Sequence, residues 1–481
     1  MNSKKVTAFI LMITLLLSTF LLSACTKKEE EPVKTQDDIN QEIDSKLEAY
    51  KTDLIDSAES MKNNDDVRDY LINWAKTKSV SYRTDDSGNV IMGRKASKGY
   101  EDADPVIIVC PYDAEQFQAY VYPAAMALYI IKNNEGSGKL RIVFTPETRH
   151  HFEGIHDLSD SWFKGHAKVF TLNASKKGMI SLASGAGSTY RFTQKISRTK
   201  PSYTTAYKIR YKNLPSGQPD SKLEEQINPV TRLNTLLATL KNKNIAYEVA
   251  FFRGGTSDVL YATSATLKIV IDPNKEAAFI EYMTSLSESF QENYGKDYPD
   301  AALTFKKIDT PKNVIQKNDT GQLVGFVYTL LHGIYQEAED GTPLAFVNVS
   351  SIRTDNNTAV IESCAASLDE TVLKEIDTDE KTLCSLSNVK YKKTSSIPAW
   401  NSGEENHGFS SAFINAFIAG TDKNLTYLDS VAPTQATFVQ EKNPKANIIN
   451  ITLNDNVLSD CTKAVVRYMM DNKAPAETDA E

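Results

Sequence analysis

The sequence predicts an α/β fold in which a mostly parallel sheet domain is interrupted by an inserted α+β domain. Three observations carry this. Short β-branched runs separated by a helical pattern fill the early part of the chain, strands with period two around amphipathic helices fill the middle, and the α/β pattern returns after Trp400.

The first element is a leader. Two lysines lie in Met1 to Lys5, Val6 to Leu22 is almost wholly apolar, and Ser23-Ala24-Cys25 follows. A basic n-region, an apolar h-region and small residues at a cut are the parts of a secretory signal peptide. A cysteine directly after Leu-Ser-Ala resembles a bacterial lipobox, so residues 1–24 are expected to be removed and Cys25 lipidated, with palmitate among the candidate acyl chains. A transmembrane anchor is the other reading, but an apolar run of about 17 residues is at the short end for a span. Residues 25–41 are highly charged and read as a solvated tether. The expected location is the cell membrane, anchored through lipid, on its extracytoplasmic face.

After the tether, Ile39, Ile43, Leu47, Leu54 and Ile55 recur at helical spacing, and Val67, Leu71, Ile72 and Trp74 mark a second helix. Strands are expected at Asn89 to Gly93, Pro105 to Cys110, Arg141 to Thr145 and Lys168 to Asn173, with a helix opened by Pro123 between the second and third. Strand, helix, strand at these lengths implies right-handed parallel crossovers. The middle offers strands at Tyr203 to Asn213, Tyr247 to Phe252, Thr266 to Asp272, Ala345 to Arg353 and Thr358 to Ala366, with a helix over Asn228 to Lys241. A helix near Phe409 to Ala419, a strand at Asn447 to Leu453 and a helix from Val457 to Met470 complete the chain. The expected division is residues 42–188 and 397–472 for a discontinuous α/β domain, 189–396 for the insert and 473–481 for a disordered tail.

Among the 481 residues, 54 basic side chains face 62 acidic ones, a formal net charge of -8. No basic block lies beyond the leader, which argues against nucleic acid as a partner. Cys110, Cys364, Cys384 and Cys461 are scattered without a Cys-x-x-Cys pair, and read as buried free thiols.

Several segments together resemble a known family. They are Pro105 to Ala114, Arg141 to Thr148, Lys168 to Gly178, Ala183 to Gly187, Asn228 to Leu240, Val249 to Ile271, Leu330 to Asn357, and Ile397 to Trp400. Their order and wording are similar to the aminoacyl-histidine dipeptidases, the Xaa-His branch of the two-zinc dipeptidases related to carnosinases. The likeness runs roughly from Asp65 to Asn472. It implies a zinc-peptidase-like sheet domain with an inserted lid or dimerisation-type domain. It also implies two zinc ions about 3.5 Å apart holding a water, with a glutamate as general base.

The ligand positions the resemblance implies are altered one by one. Its His-x-Asp loop falls on Pro111-Tyr112-Asp113, leaving only the non-ligand aspartate. The bridging aspartate falls among Tyr120, Val121 and Tyr122. The Glu-Glu pair falls on Thr148-Arg149, the next ligand on Asn173, and the C-terminal histidine loop on Asn454-Asp455-Asn456. The insert's Gly-His-Ser-Gly falls on Leu214-Pro215-Ser216-Gly217. Zinc takes imidazole, thiolate and carboxylate, so these replacements predict a chain without catalytic residues and without a metal cofactor.

Two local signals compete. Glu147, His150, His151, Glu153 and His156 crowd one loop, and the three histidines offer an alternative zinc site; a solvated polar loop is the other reading. Gly254, Gly255, Thr256 and Ser257 could present backbone amides to a carboxylate or could form a structural turn, and Asp113 and Arg149 join them as candidate ligand-binding residues. Ser184 to Ser188 is glycine-rich without a nucleophile-elbow order and reads as a tight crossing between domains. His332 is expected to pack within the insert, and His166 and His407 to lie at the surface. The expected function is a non-catalytic surface protein that binds peptides or cell-wall fragments in the cleft between its domains. The alternative is an active Xaa-His metallodipeptidase or other amide hydrolase with non-standard ligands.

Overall fold

The computed structural model describes residues 35–473 apart from 135, 149–150, 176, 216–226 and 404–405. The leader, Cys25, Arg149, His150, Ser216, Gly217 and the tail beyond 473 lie outside the described residues. The chain divides into two compact units, Met1–Ser45 and Lys46–Glu481. In the first, the described residues form the opening turns of helix α1 (Gln36–Ala58), with Asp37 and Asp38 at its positive end.

In the second unit, α1 continues with Leu47 and Leu54 buried, whereas Ile55, expected on the same apolar stripe, is exposed. Helix α2 (Asn64–Thr77) starts from Asn63 and Asp66, which cap each other's backbone, and buries Val67, Leu71 and Trp74. There follow β1 (Ser81–Thr84), β2 (Val90–Arg94), β3 (Val106–Tyr112), helix α3 (Phe117–Asn133), β4 (Leu140–Pro146), the short helix α4 (Glu153–Asp157), β5 (Lys168–Ala174) and β6 (Met179–Ser181).

Helix α3 corrects the expected start at Pro123. The chain turns at Asp113, whose side chain caps a 3-10 turn over Ala114–Gln116, and the helix runs on from Phe117. Pro123 therefore sits inside it, where its missing N–H leaves the Ala119 carbonyl without the usual helical partner.

The chain then builds β7 (Ala186–Lys195), β8 (Thr205–Lys212), α5 (Pro229–Asn242), β9 (Tyr247–Gly254), β10 (Ala265–Ile271), α6 (Glu276–Tyr294), β11 (Ala302–Ile308) and α7 (Lys317–Thr329). After these come β12 (Gly333–Glu337), β13 (Pro343–Asp355), β14 (Thr358–Ser367), α8 (Glu370–Leu386) and β15 (Lys390–Ile397). It returns through α9 (His407–Thr421), α10 (Gln435–Lys442), β16 (Asn447–Leu453) and α11 (Asp455–Asp471).

Two sheets result. The first has the order β1-β2-β4-β3-β5-β16-β6, with β4, β3, β5 and β16 parallel at its centre and antiparallel strands at both edges. Its parallel strands are largely buried on both faces; β3 is buried at every residue because α3 covers one side and the cluster around Phe152, Phe163 and Trp400 the other. The second, nine-stranded, has the order β11-β8-β10-β9-β13-β14-β7-β15, with β12 paired to β13, and is antiparallel throughout. One of its faces is apolar and carries helices α5 to α8 over Tyr207, Ile209, Leu267, Ile269 and Phe252.

The join between the sheets is tight. Gly185 donates its N–H to Ser430 O at 2.8 Å, and a Cβ there would lie 2.2 Å from Val431 O and 2.6 Å from Ser367 O. The four cysteines Cys110, Cys364, Cys384 and Cys461 are all buried free thiols. His332, expected inside, is exposed, as are His166 and His407. Among the described residues no helix is long and apolar enough to cross a membrane.

Candidate functional site

The C-terminal ends of parallel strands are where an α/β sheet presents side chains to a site, and the loops after β3 and β4 meet there. Asn64 joins them: its side-chain oxygen accepts the Ala114 N–H at 2.8 Å, and its amide donates to Glu147 O at 2.9 Å. Glu147 N–H in turn donates to Tyr112 O at 2.8 Å. Asp113 is buried and spent on its own turn, accepting from Glu115 N–H at 2.9 Å and from the Gln116 amide at 3.4 Å.

At the centre lies Glu147, with no exposed surface. Tyr120 OH donates to its Oε2 at 3.0 Å, and Gln435 Nε2 to its Oε1 at 2.5 Å. The same Gln435 nitrogen reaches Thr145 Oγ1 at 2.9 Å. Burial pushes the Glu147 carboxyl up to about 8; the two hydrogen bonds pull it down by less, and the charges of Asp113 and Glu153 add to the rise. Burial also drives Cys110 and Tyr120 upward. Burial thus favours the protonated form of the Glu147 carboxyl within a buried hydrogen-bonded cluster.

The other expected positions fall around it. Pro111 is buried in β3 and Val121 inside α3, and Thr148 is exposed with its N–H donated to Glu153 Oε2 at 2.9 Å. The Asn173 amide donates to Asn450 Oδ1 at 3.2 Å, which also accepts from Thr171 at 3.0 Å, tying β5 to β16. Asn454 caps α11, accepting from Asn456 and Val457 N–H groups. The groups here are hydroxyls, amides and the two buried carboxyls of Asp113 and Glu147, with no imidazole or thiolate beside them among the described residues, a set that does not fit a two-zinc centre. Among the described residues no three His, Cys, Asp or Glu side chains are grouped to hold a metal ion.

The histidine-rich loop points two ways. His151 Nε2 lies 2.8 Å from Asp258 Oδ1, linking this loop to the turn after β9. His156 is largely exposed and pairs with its neighbour Asp157 at 3.0 Å. The turn that carries Asp258 is the Gly254-Gly255-Thr256-Ser257 segment. Gly254 belongs to β9, Gly255 has φ +73° and donates its N–H to Ser264 O at 3.2 Å, and Ser257 Oγ accepts from Val259 and Leu260 N–H at 3.1 and 3.2 Å. These groups are engaged in shaping the turn.

Between the sheets, Phe152, Val259, Phe346, Cys364, Ala432 and Pro433 line a half-open apolar recess of about 40 Å³. A small-molecule pocket usually needs several hundred cubic ångströms. Glu147, read from the sequence as one member of the polar, metal-capable loop, is instead fully buried at the end of β4 and bonded to Tyr120 and Gln435.

No family model matches the chain. Its fold is that of a dipeptidase. Aminoacylhistidine dipeptidase from Vibrio alginolyticus superposes with a TM-score of 0.54 at 15% identity, covering 84% of this chain and 92% of that one. In sequence, the cytosol non-specific dipeptidase of Escherichia coli (strain K12) is 18% identical over 371 residues, 69% of this chain and 76% of that protein. Human carnosine dipeptidase 1 aligns over 92% of this chain and 99% of its own at 8% identity, with a TM-score of 0.48.

Proposed function

We propose that this chain is a lipid-anchored extracytoplasmic protein that keeps a dipeptidase fold without its metal chemistry. The observation that carries the reading is the state of Glu147. A zinc ligand or general base must be ionised and open to the reacting centre, whereas this carboxyl is buried, raised to about 8 and held by Tyr120 and Gln435. A peptide or cell-wall fragment remains the expected ligand class, and the 40 Å³ recess means that it enters only if the sheets part.

Zinc is expected neither to raise the melting temperature nor to survive dialysis, because a ligand specific to the folded state stabilises it by mass action. Xaa-His dipeptides should release no histidine. The competing reading is an active metallohydrolase using His150, His151 and His156; stoichiometric zinc that is lost in the triple alanine variant, together with histidine release, would establish it instead.

The anchor is tested separately. Cys25→Ala is expected to abolish acyl labelling and leave the precursor uncut by lipoprotein signal peptidase. Labelling that persists in this variant rules the anchor out.

A further inference from the structure

The second sheet has helices on one face only, and the opposite face has an unusual charge pattern. Along β8, Tyr207, Ile209 and Tyr211 point into the helices, where Tyr207 meets Phe279 and Tyr211 meets Phe290 at centroid distances of 4.7 and 5.3 Å. The alternate residues Lys208 and Arg210 therefore point away. Register places Lys208 directly opposite Lys306 on one neighbour and Lys268 on the other, so three lysines lie in a row across β11, β8 and β10. Two residues along, Arg253 on β9 faces Arg353 on β13.

Like charges directly opposed across strands destabilise a sheet, and this one repeats the arrangement in a chain whose net charge is -8. The arginines are partly relieved: Arg253 pairs with Asp355 at 2.9 Å, and Arg353 reaches Glu362 at 3.6 Å. Among the described residues the lysine row has no carboxylate partner. Lys208, Lys268, Arg253, Thr266 and Gly255 line an open pocket of about 320 Å³ beside it.

We propose that this face binds a linear phosphate polymer. The inference is independent of whether the chain is a peptidase. Strand spacing puts the three ammonium groups about 10 Å apart end to end, too far for one small anion to neutralise, so an extended polyanion fits where a single phosphate does not. A membrane surface fits less well: the large exposed apolar residues, Ile55, Ile280, Tyr328, Leu386, Ile418 and Leu428, are not on these strands, and interfacial binding needs insertable side chains. A nucleic acid fits less well because the half-buried Phe251 ring, the aromatic side chain lining the pocket, is already engaged by Arg253 and Lys268 at 5.7 and 5.3 Å, leaving no free aromatic platform there for a base.

The test titrates full-length protein with long-chain inorganic polyphosphate at several salt concentrations. Neutralising about three phosphates predicts a slope of log K against log salt of roughly -2. Lys208→Gln with Lys268→Gln should weaken binding at least tenfold and flatten that slope, while Lys374→Gln with Lys381→Gln on α8 should leave both unchanged. Lys208→Glu gives a second readout: it converts two repulsive cross-strand pairs into attractive ones, so it should raise the melting temperature while abolishing binding. Four results would each overturn the proposal. These are no binding at about 50 mM salt, where such contacts are strong; equal loss in the α8 variant; tighter binding to phosphatidylglycerol vesicles; or tighter binding to a single-stranded oligonucleotide of equal charge.

Discussion

Replacing Glu147 by glutamine is expected to abolish much of the fall in stability that this protein shows between about pH 5 and pH 8. An ordinary glutamate titrates near 4.5, and burial raises Glu147 in the folded chain to about 8. Between those values the native state holds a proton that the unfolded state has released. Stability therefore falls as pH rises through this window and is fully present only below the unfolded value. Each unit of difference is worth about 1.4 kcal/mol, so the full loss over the shift from 4.5 to about 8 is on the order of 5 kcal/mol. Glutamine fits the same bonds. A half-turn of the Gln435 amide presents its oxygen, which has no partner at present, to the new amide, and Tyr120 keeps its acceptor. Urea unfolding at pH 5.5, 7 and 8.5 should give a steep wild-type decline and a shallower one for Glu147→Gln. Glu380, buried on α8 and also raised to about 8, contributes a slope of the same sign, so only the difference between the two proteins reports Glu147. Parallel curves would show that the carboxyl is ionised in the folded chain, and would remove the central support for the non-catalytic reading.

Much of the first sheet was legible because its strands are continuous β-branched runs. Asn447 to Leu453 was read to the residue, and the strands at β2 to β5 began or ended within a few positions. What escaped notice lacked that contrast. Strand β15 is Lys390–Ile397, exposed or half-exposed at every position, and is a strand because β7 pairs with it rather than because of its own pattern. Strand β7 starts in the glycine-rich segment that reads as a crossing: Ala183–Ser184 pairs with Trp400–Asn401, Gly185 breaks the ladder, and β7 runs on from Ala186. Helices α6, α7 and α8 fall in an insert whose expected elements are mostly strands. Pro123 misled because the cap at Asp113, ten residues earlier, had set the path into the helix before the proline was reached.

The candidate site was legible as a set of losses and not as a structure. Pro111, Thr148 and Asn173 announce missing ligands one at a time, but nothing local shows what replaced them. Glu147 acquires its character from Gln435, 288 residues away in sequence, and from Tyr120 on α3. Burial of a carboxyl is a property of the assembled fold, so a loop that reads as solvated or metal-binding proves to begin with a sealed group.

The largest single-residue loss is expected at Gly255. Its φ of +73° lies in the left-handed region, where a side chain costs about 1 kcal/mol before any contact is considered. A Cβ would then sit 2.0 Å from Ser350 O and 2.9 Å from Ser351 Cα, both backbone atoms of β13, which cannot rotate aside. Relief requires β9 and β13 to separate where Gly254 pairs with Ile352, and that also moves Asp258 away from His151. Gly255→Ala should therefore destabilise by about 3 kcal/mol or more, in the range of overpacked cores with added backbone strain. Gly321 supplies the contrast. It lies within α7 with no atom near the place its Cβ would occupy, so Gly321→Ala should stabilise by about 0.5–1 kcal/mol through helix propensity alone. Denaturant midpoints for the two variants should move in opposite directions from wild type. A Gly255→Ala midpoint within error of wild type would mean that the turn relaxes freely, and that its backbone amides are not fixed in the arrangement that holds Asp258 against the histidine loop.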